Sequence, residues 1–268
     1  MSSTSRRERK GSAFRAMHTG DPFVIPNPWD AGSARVLEAL GFTALATTSS
    51  GFAFTLGQRD GRVTLEQMAE HVAEVDAATE LPVSADLENG YGPEPETASE
   101  AIRRIAAAGA VGGSIEDFDR DRRVLYEIGH ATDRIRAAAE SARDVEVPFT
   151  LTARAENHIR GNPDLADTIR RLQAFEEAGA DVLFAPGLGT TEEIRAVCEA
   201  VTKPVNVLAV PTISVGEIFG AGAQRISVGG SLTWVALKAF ADAATAIRER
   251  GDLSALAARV PLGDWFGG

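Results

Sequence analysis

From Phe23 onward the chain alternates short β-like runs with Ala-rich amphipathic stretches, and the alternation continues to about Arg250. Eight such runs stand out: Phe23–Asn27, Thr43–Thr47, Pro82–Glu88, Ala110–Glu116, Phe149–Arg154, Ala180–Phe184, Pro204–Leu208 and Arg225–Val228. Between them the spacing predicts helices near Ala31–Leu40, Leu65–Ala77, Glu96–Ala108, Thr132–Arg143, Asp164–Ala178, Thr191–Val201, Val215–Phe219 and Leu232–Arg248. Eight β/α units in a row predict an α/β chain folded as a single (β/α)8 TIM barrel. Residues 1–20 are left as an N-terminal tail, with the barrel catalytic domain over 21–268. A doubly wound open sheet is the rival, but no Gly-x-Gly-x-x-Gly turn follows the first strand to support it. Gly41, Gly109, Gly179 and Gly222 each close a helix and lead into a strand, as αβ turns that need a positive φ require.

Composition narrows the function. The chain has 268 residues with 27 Lys+Arg against 38 Asp+Glu, a formal net charge of −11. That surface argues against broad nucleic-acid or membrane binding. A single cysteine, Cys198, excludes an intramolecular disulfide framework and a Cys-based zinc site, which suits a cytoplasmic address. No apolar run approaches the roughly 18 residues of a membrane span. The first residues are polar and locally basic without an apolar run after them, so they read as a frayed or docking tail, not a signal peptide.

Alternation within each strand divides inward from outward residues. On the third run Val83, Ala85 and Leu87 share one face, and Ser84, Asp86 and Glu88 the other. The same partition places Gly112, Ser114 and Glu116 inward on the fourth run, and Thr150, Thr152 and Arg154 on the fifth. Asn206 follows on the seventh, with Arg225 and Ser227 on the eighth. Polar side chains inside a barrel are costly unless paired or bound to a ligand, and active sites form at strand C-terminal ends.

Asp86, Glu88 and Glu116 come from neighbouring strands and must approach one another. Two unit charges about 4 Å apart repel by about 4 kcal/mol at an effective dielectric of ~20, so the cluster requires a cation or shifted pKa values. Oxygen ligands without His or Cys favour magnesium, or manganese, over zinc. The alternative is direct pairing of these acids with Arg154 and Arg225.

Four segments also resemble one family. Asp86-Leu87-Glu88-Asn89-Gly90-Tyr91-Gly92 resembles the metal-binding strand of the isocitrate lyase/phosphoenolpyruvate mutase superfamily. Ser114-Ile115-Glu116-Asp117 is similar to its Ile-Glu-Asp strand, and Leu151-Thr152-Ala153-Arg154 to its Ala-Arg strand. Thr47-Thr48-Ser49-Ser50-Gly51, with Gln58-Arg59-Asp60-Gly61 after it, resembles the turn that binds the substrate carboxylate and the acid that follows. The match runs from about Asn27 to Trp234 in register. The resemblance implies a magnesium-dependent enzyme that makes or breaks a C–C or P–C bond beside a 2-oxo or enol carboxylate. Asp86 and Glu88 would hold the metal with Glu116 in support, and Asp60 would be a further acid. Thr48, Ser49, Ser50, Gly51 and Asn206 would line the substrate site, and Arg154 would face the developing oxyanion. It also implies a homo-oligomer, tetramer or dimer, often with an exchanged C-terminal helix; Trp265 and Phe266 suit such packing.

Departures from the family pattern refine the reaction. The lyase branch has a Cys-containing loop after the Ile-Glu-Asp strand, and here that stretch, Phe118 to His130, has none. Cys198 shares a helical stripe with Ile194, Val197 and Val201, which makes it a core residue. The mutase branch has an Asn in its gating segment, absent near Arg122-Arg123-Val124-Leu125, and a His after the sixth strand that Phe184-Ala185-Pro186-Gly187 lacks. Decarboxylation or another C–C cleavage of a small 2-oxo or 2-hydroxy diacid fits best, because loss of carbon dioxide needs no base to start it. The alternatives are P–C chemistry of the phosphonopyruvate hydrolase or phosphoenolpyruvate mutase type, and a catalytically silent carboxylate-binding barrel. The charged run from Asp117 to Arg123 is either a lid or a solvated loop. As a lid it would offer Arg122, Arg123, Tyr126 and His130. The turn Ser227-Val228-Gly229-Gly230-Ser231 could cradle a phosphate, or only pack.

Overall fold

In the computed structural model, which describes residues 3–266, each of the eight β-like runs forms a strand. In chain order the elements begin α1 (Ser3–Met17), β1 (Phe23–Ile25), α2 (Ala31–Ala39), β2 (Leu45–Ala46), α3 (Ser49–Thr55), α4 (Leu65–Ala78), β3 (Val83–Asp86) and α5 (Pro95–Ala108). Then come β4 (Gly112–Glu116), a hairpin of β5 (Phe118–Asp119) and β6 (Val124–Leu125), α6 (Ile128–Asp144), β7 (Thr150–Arg154), α7 (Leu165–Glu177), β8 (Val182–Phe184) and α8 (Thr191–Ala200). The last are β9 (Val205–Leu208), α9 (Val215–Gly220), β10 (Arg225–Ser227), α10 (Ser231–Arg250), a 3-10 turn (Ser254–Ala257) and α11 (Leu262–Phe266).

The eight barrel strands pair in parallel in the order β1-β10-β9-β8-β7-β4-β3-β2. The Ala46 N–H donates to the Pro26 carbonyl at 3.0 Å, which brings the two ends of the sheet together and makes it a (β/α)8 barrel. Outward strand residues sit under the helices: Val83, Ala85, Leu87, Ile115, Leu151, Leu183, Val207 and Ile226 are buried. Each such aliphatic side chain contributes roughly 1.5–3 kcal/mol by leaving water. The four turn glycines, Gly41, Gly109, Gly179 and Gly222, all have positive φ, as the sequence predicts.

Within the expected frayed or docking tail, Ser3–Met17 form α1, which lies against the barrel. Phe14 is fully buried and clusters with Ile25 and Val111. Gly112 makes room for it, since a Cβ there would stand 2.7 Å from the ring. Arg6 and Lys10 fasten the helix to Asp76 at 2.8 and 2.6 Å. Ten of the fifteen residues of α1 are polar and the apolar ones gather at its C-terminal end, so no amphipathic stripe announces the helix; the fixing comes from the barrel. At the other terminus, the Phe266 ring lies 5.6 Å from the Arg35 guanidinium of α2. No helix among the described residues is long and apolar enough to cross a membrane.

Two buried imidazoles make stability depend on pH. Burial and then the neighbouring Arg225 push His18 down to about 3; burial pushes His71, stacked 3.9 Å from Phe52, down to about 4. Between those values and the ordinary pKa near 6.5 the unfolded chain binds more protons than the folded one, so stability falls as pH drops. At pH 5 each histidine should cost about 2 kcal/mol relative to pH 7 or above. Urea midpoints at pH 7 and pH 5 check this, and His71→Phe should remove part of the slope. A slope that is unchanged in that variant would refute the assignment.

Candidate active site

Seven of the inward residues read from the strand alternation, Ser84, Asp86, Ser114, Arg154, Asn206, Arg225 and Ser227, meet in one cavity of about 200 Å3 at the barrel mouth, whereas Glu88 lines an adjoining cavity and Glu116 lies buried behind the wall. Thr48, Ser49 and Ser50 enter it from the start of α3, and Asp60 and Arg120 border it. Asp86 is set from three sides. Its N–H donates to Thr47 Oγ1 at 2.9 Å, its Oδ2 accepts the Ser49 N–H at 3.2 Å, and its Oδ1 lies 3.6 Å from Arg154 Nη1. Burial alone would raise its pKa, but Arg154, Arg120 and the Ser49 contacts hold it below the usual carboxylate range.

Glu88 and Glu116 lie beside it, both buried. Glu88 has a left-handed backbone (φ 54), a strained turn by which the chain leaves β3, and it lines the adjoining cavity beside Arg120. Arg120 Nη1 sits 2.7 Å from Glu88 and 3.7 Å from Asp60, while its Nε donates to Glu116 at 3.2 Å. Arg154 contacts Glu116 at 3.5 Å and is tightly bonded to Glu156. Arg160 joins Glu116 at 3.4 Å and Glu156 at 2.7 Å. Burial pushes Glu88 up to about 8, against the pull of Arg120, and neighbouring carboxylates add to the rise.

Sequence reading reached Arg120 only as part of the charged run Asp117 to Arg123, without its partners, and missed Glu156 and Arg160. Glu156 continues the alternate set of Thr150, Thr152 and Arg154, so extending the strand pattern two residues would have found it. The arginines arrive from a hairpin and a loop, where alternation carries no information. Arg225 does not pair with the acids as the alternative supposed. It bonds Asn206 Oδ1 at 2.8 Å, Thr152 Oγ1 at 3.0 Å and His18 Nε2 at 3.0 Å, all neutral partners. The floor of the cavity therefore carries positive charge, which favours an anionic ligand.

Gly51, Arg122, Arg123, Tyr126, His130 and Cys198 fall outside the mouth cavity. Gly51 is needed for packing, since a Cβ there would stand 2.6 Å from Thr233 Oγ1. Arg122 and Arg123 are exposed on the hairpin tip. The Tyr126 hydroxyl meets Asn89 at 3.2 Å in a neighbouring groove, and His130 Nε2 lies 2.8 Å from the Pro93 carbonyl. Cys198 is partly buried against the core, with burial pushing its thiol up to about 11. The turn after β10 does line the mouth cavity, through Ser227, Gly229 and Gly230, but the Val228 and Gly229 N–H groups both donate to Asn27 at 2.9 Å, which engages that part of the turn in packing.

The carboxylates suit a divalent cation. Five of them, Asp60, Asp86, Glu88, Glu116 and Glu156, share three guanidinium groups, Arg120, Arg154 and Arg160, so that with all five ionised the cluster would be two positive charges short of balance. Buried Glu88 Oε1 and Glu116 Oε2 accept no hydrogen bond. Among the described residues no three acidic, imidazole or thiol groups already converge as a metal cage, and Arg120 stands between Glu88 and Glu116. Magnesium does not need such a cage, because one or two carboxylates plus water and substrate oxygens complete its octahedron.

A family model for phosphoenolpyruvate phosphomutase matches residues 14–248. An uncharacterized protein of Mycobacterium tuberculosis is 32% identical over 233 residues, which cover 87% of this chain and 87% of that protein. An oxaloacetate decarboxylase of Bradyrhizobium diazoefficiens is 30% identical over 268 residues, covering 96% of this chain and 90% of its own length. Among solved structures, a Burkholderia cenocepacia J2315 protein described as a lyase/mutase superposes with a TM-score of 0.94 at 49% identity, covering 98% of both chains.

Proposed function

The chain belongs to the phosphoenolpyruvate mutase/isocitrate lyase superfamily and is a carbon–carbon lyase of its type; from that premise we propose that it cleaves the C–C bond beside the 2-oxo or 2-hydroxy carboxylate of a small diacid, with magnesium or manganese. Decarboxylation of an oxaloacetate-like acid is the reaction we favour. The observation that carries this reading is the wall of the mouth cavity, which among the described residues holds no thiol, imidazole, amine or phenol; its carboxylates are Asp60, paired with Arg120, and Asp86, which Arg154 and Arg120 hold below the usual carboxylate range and so make a weak base. A retro-aldol cleavage needs a base to take a proton from a hydroxyl; decarboxylation does not.

In decarboxylation the bond from C3 to the departing carboxylate breaks, carbon dioxide leaves, and the electron pair passes into an enolate with its charge on the C2 oxygen. A proton from water then completes the product at C3. Arg154, oriented by Glu156 and Glu116, would face that oxygen as a fixed cation. Thr48, Ser49, Ser50 and nearby backbone N–H groups would bind the 2-oxo carboxylate, with Asn206 below them. Asp86 and Glu88 would hold the metal, chiefly through water, with Glu116 in support, and when bound it would supply a second electrophile for the developing charge. The test is a product analysis with magnesium or manganese. Pyruvate formed from oxaloacetate above the uncatalysed background supports the reading. Phosphate released from phosphonopyruvate, with no C–C substrate turned over, would favour P–C chemistry. Oxalate raising the melting temperature, with nothing in a broad panel of oxo acids consumed, would leave a binding barrel.

We also propose a cytoplasmic homo-oligomer, dimer or tetramer. Val235 and Phe240 on α10 are 68% and 71% exposed, and Leu256, Val260 and Leu262 follow in the tail. Such an apolar strip suits burial against a second copy, with or without exchange of the C-terminal helix. Phe240→Glu should lower the mass seen by light scattering; an unchanged mass would contradict this placement of the interface.

A further inference from the structure

Arg120 is, among the described residues, the one side chain that lines the mouth cavity and both larger cavities beside it, of about 780 and 630 Å3. It is the partition between them. Gly61 gives it room, for a Cβ there would stand 2.8 Å from Arg120 Nη1. The hairpin that carries it has a firm base. Tyr126 N–H donates to the Asp117 carbonyl at 2.9 Å, the Asp117 carboxylate meets Arg171 at 3.1 Å, and the Phe118 ring lies 4.1 Å from the Arg160 guanidinium. The tip, Asp121 to Val124, is exposed. Among the described hydrogen bonds and ion pairs, the tip is tied to the barrel through Arg120 alone, on Glu88, Glu116 and Asp60.

We infer that Arg120 is a resident counter-cation which a divalent metal replaces: loading the carboxylates expels its guanidinium, frees the hairpin tip and joins the mouth cavity to its neighbours. Substrate therefore enters after the metal. This rests on the reading that these carboxylates hold a metal. Glu88 and Glu116 each offer buried oxygens, and the guanidinium stands between them within ion-pair distance of both. A dication there would compete for the same two carboxylates and repel the arginine at close range. The two adjoining cavities give the displaced side chain somewhere to go. The role is one of positioning, through metal affinity and access, and Arg120 transfers no proton and touches no reacting bond.

The test compares wild type, Arg120→Met and Arg120→Lys in manganese titrations followed by electron paramagnetic resonance, with amide hydrogen exchange over residues 118–125 as the second readout. Arg120→Met should bind manganese about 10-fold more tightly than wild type, because a competitor is gone, and Arg120→Lys should return affinity toward wild type. Magnesium should speed exchange at the wild-type hairpin, whereas in Arg120→Met exchange should already be fast and unaffected. Equal or weaker manganese binding by Arg120→Met, or slower wild-type exchange on adding magnesium, overturns the inference while leaving the metal site standing. Absence of manganese binding in all three proteins would remove the metal site and the inference together.

Discussion

Arg154→Lys should lower kcat on a 2-oxo diacid by about 10²–10³-fold, the loss that follows removal of a fixed donor from a developing oxyanion. Arg154 contacts Asp86, Glu116 and Glu156 at once while facing the mouth cavity. A planar fork with five donors can serve three carboxylates and a substrate oxygen; an ammonium is a point charge on a flexible stem and cannot. The cation is retained, so folding should suffer far less than turnover. Melting temperature and kcat measured on the same preparation separate the two effects. If stability and activity fall together, Arg154 serves the ion-pair network and not the reaction.

Asp86→Ala should abolish metal binding and reduce turnover by about 10³-fold or more, since a bound dication contributes several kcal/mol to stabilising the transition-state charge. Asp86 is the carboxylate at the cavity wall, placed by Thr47, Ser49 and Ser114, whereas Glu88 and Glu116 lie deeper and are engaged by Arg120. Its loss also leaves Arg154 with one fewer partner, so circular dichroism should accompany the assay. Manganese binding at wild-type affinity in this variant would move the metal elsewhere.

The barrel and half of the site were legible in the sequence for one reason. Parallel strands force alternate residues to opposite faces, and the helix-ending glycines mark where each strand begins. That logic reached Asp86, Glu116, Arg154, Asn206 and Arg225, all of which line or adjoin the cavity. It could not reach Arg120 or Arg160, whose positions depend on how a hairpin and a loop fold over the mouth. It also misplaced the partner of Arg225, because the neutral His18 that meets it comes from α1, a helix fixed by tertiary contacts. The lid candidates show the same limit. Tyr126 and His130 are near the site in sequence, yet Asn89 and Pro93 hold them in the neighbouring groove.

We propose that the carboxylates at the barrel mouth carry a metal that acts in C–C cleavage. This role is tested most directly by following pyruvate from oxaloacetate by nuclear magnetic resonance, first in chelator and then after restoring magnesium, with free metal alone as background. The expected result is a wild-type rate lost in chelator, recovered above background with magnesium, and absent at every magnesium concentration in Asp86→Ala. A wild-type rate that survives chelation, or an Asp86→Ala rate equal to wild type, would contradict it.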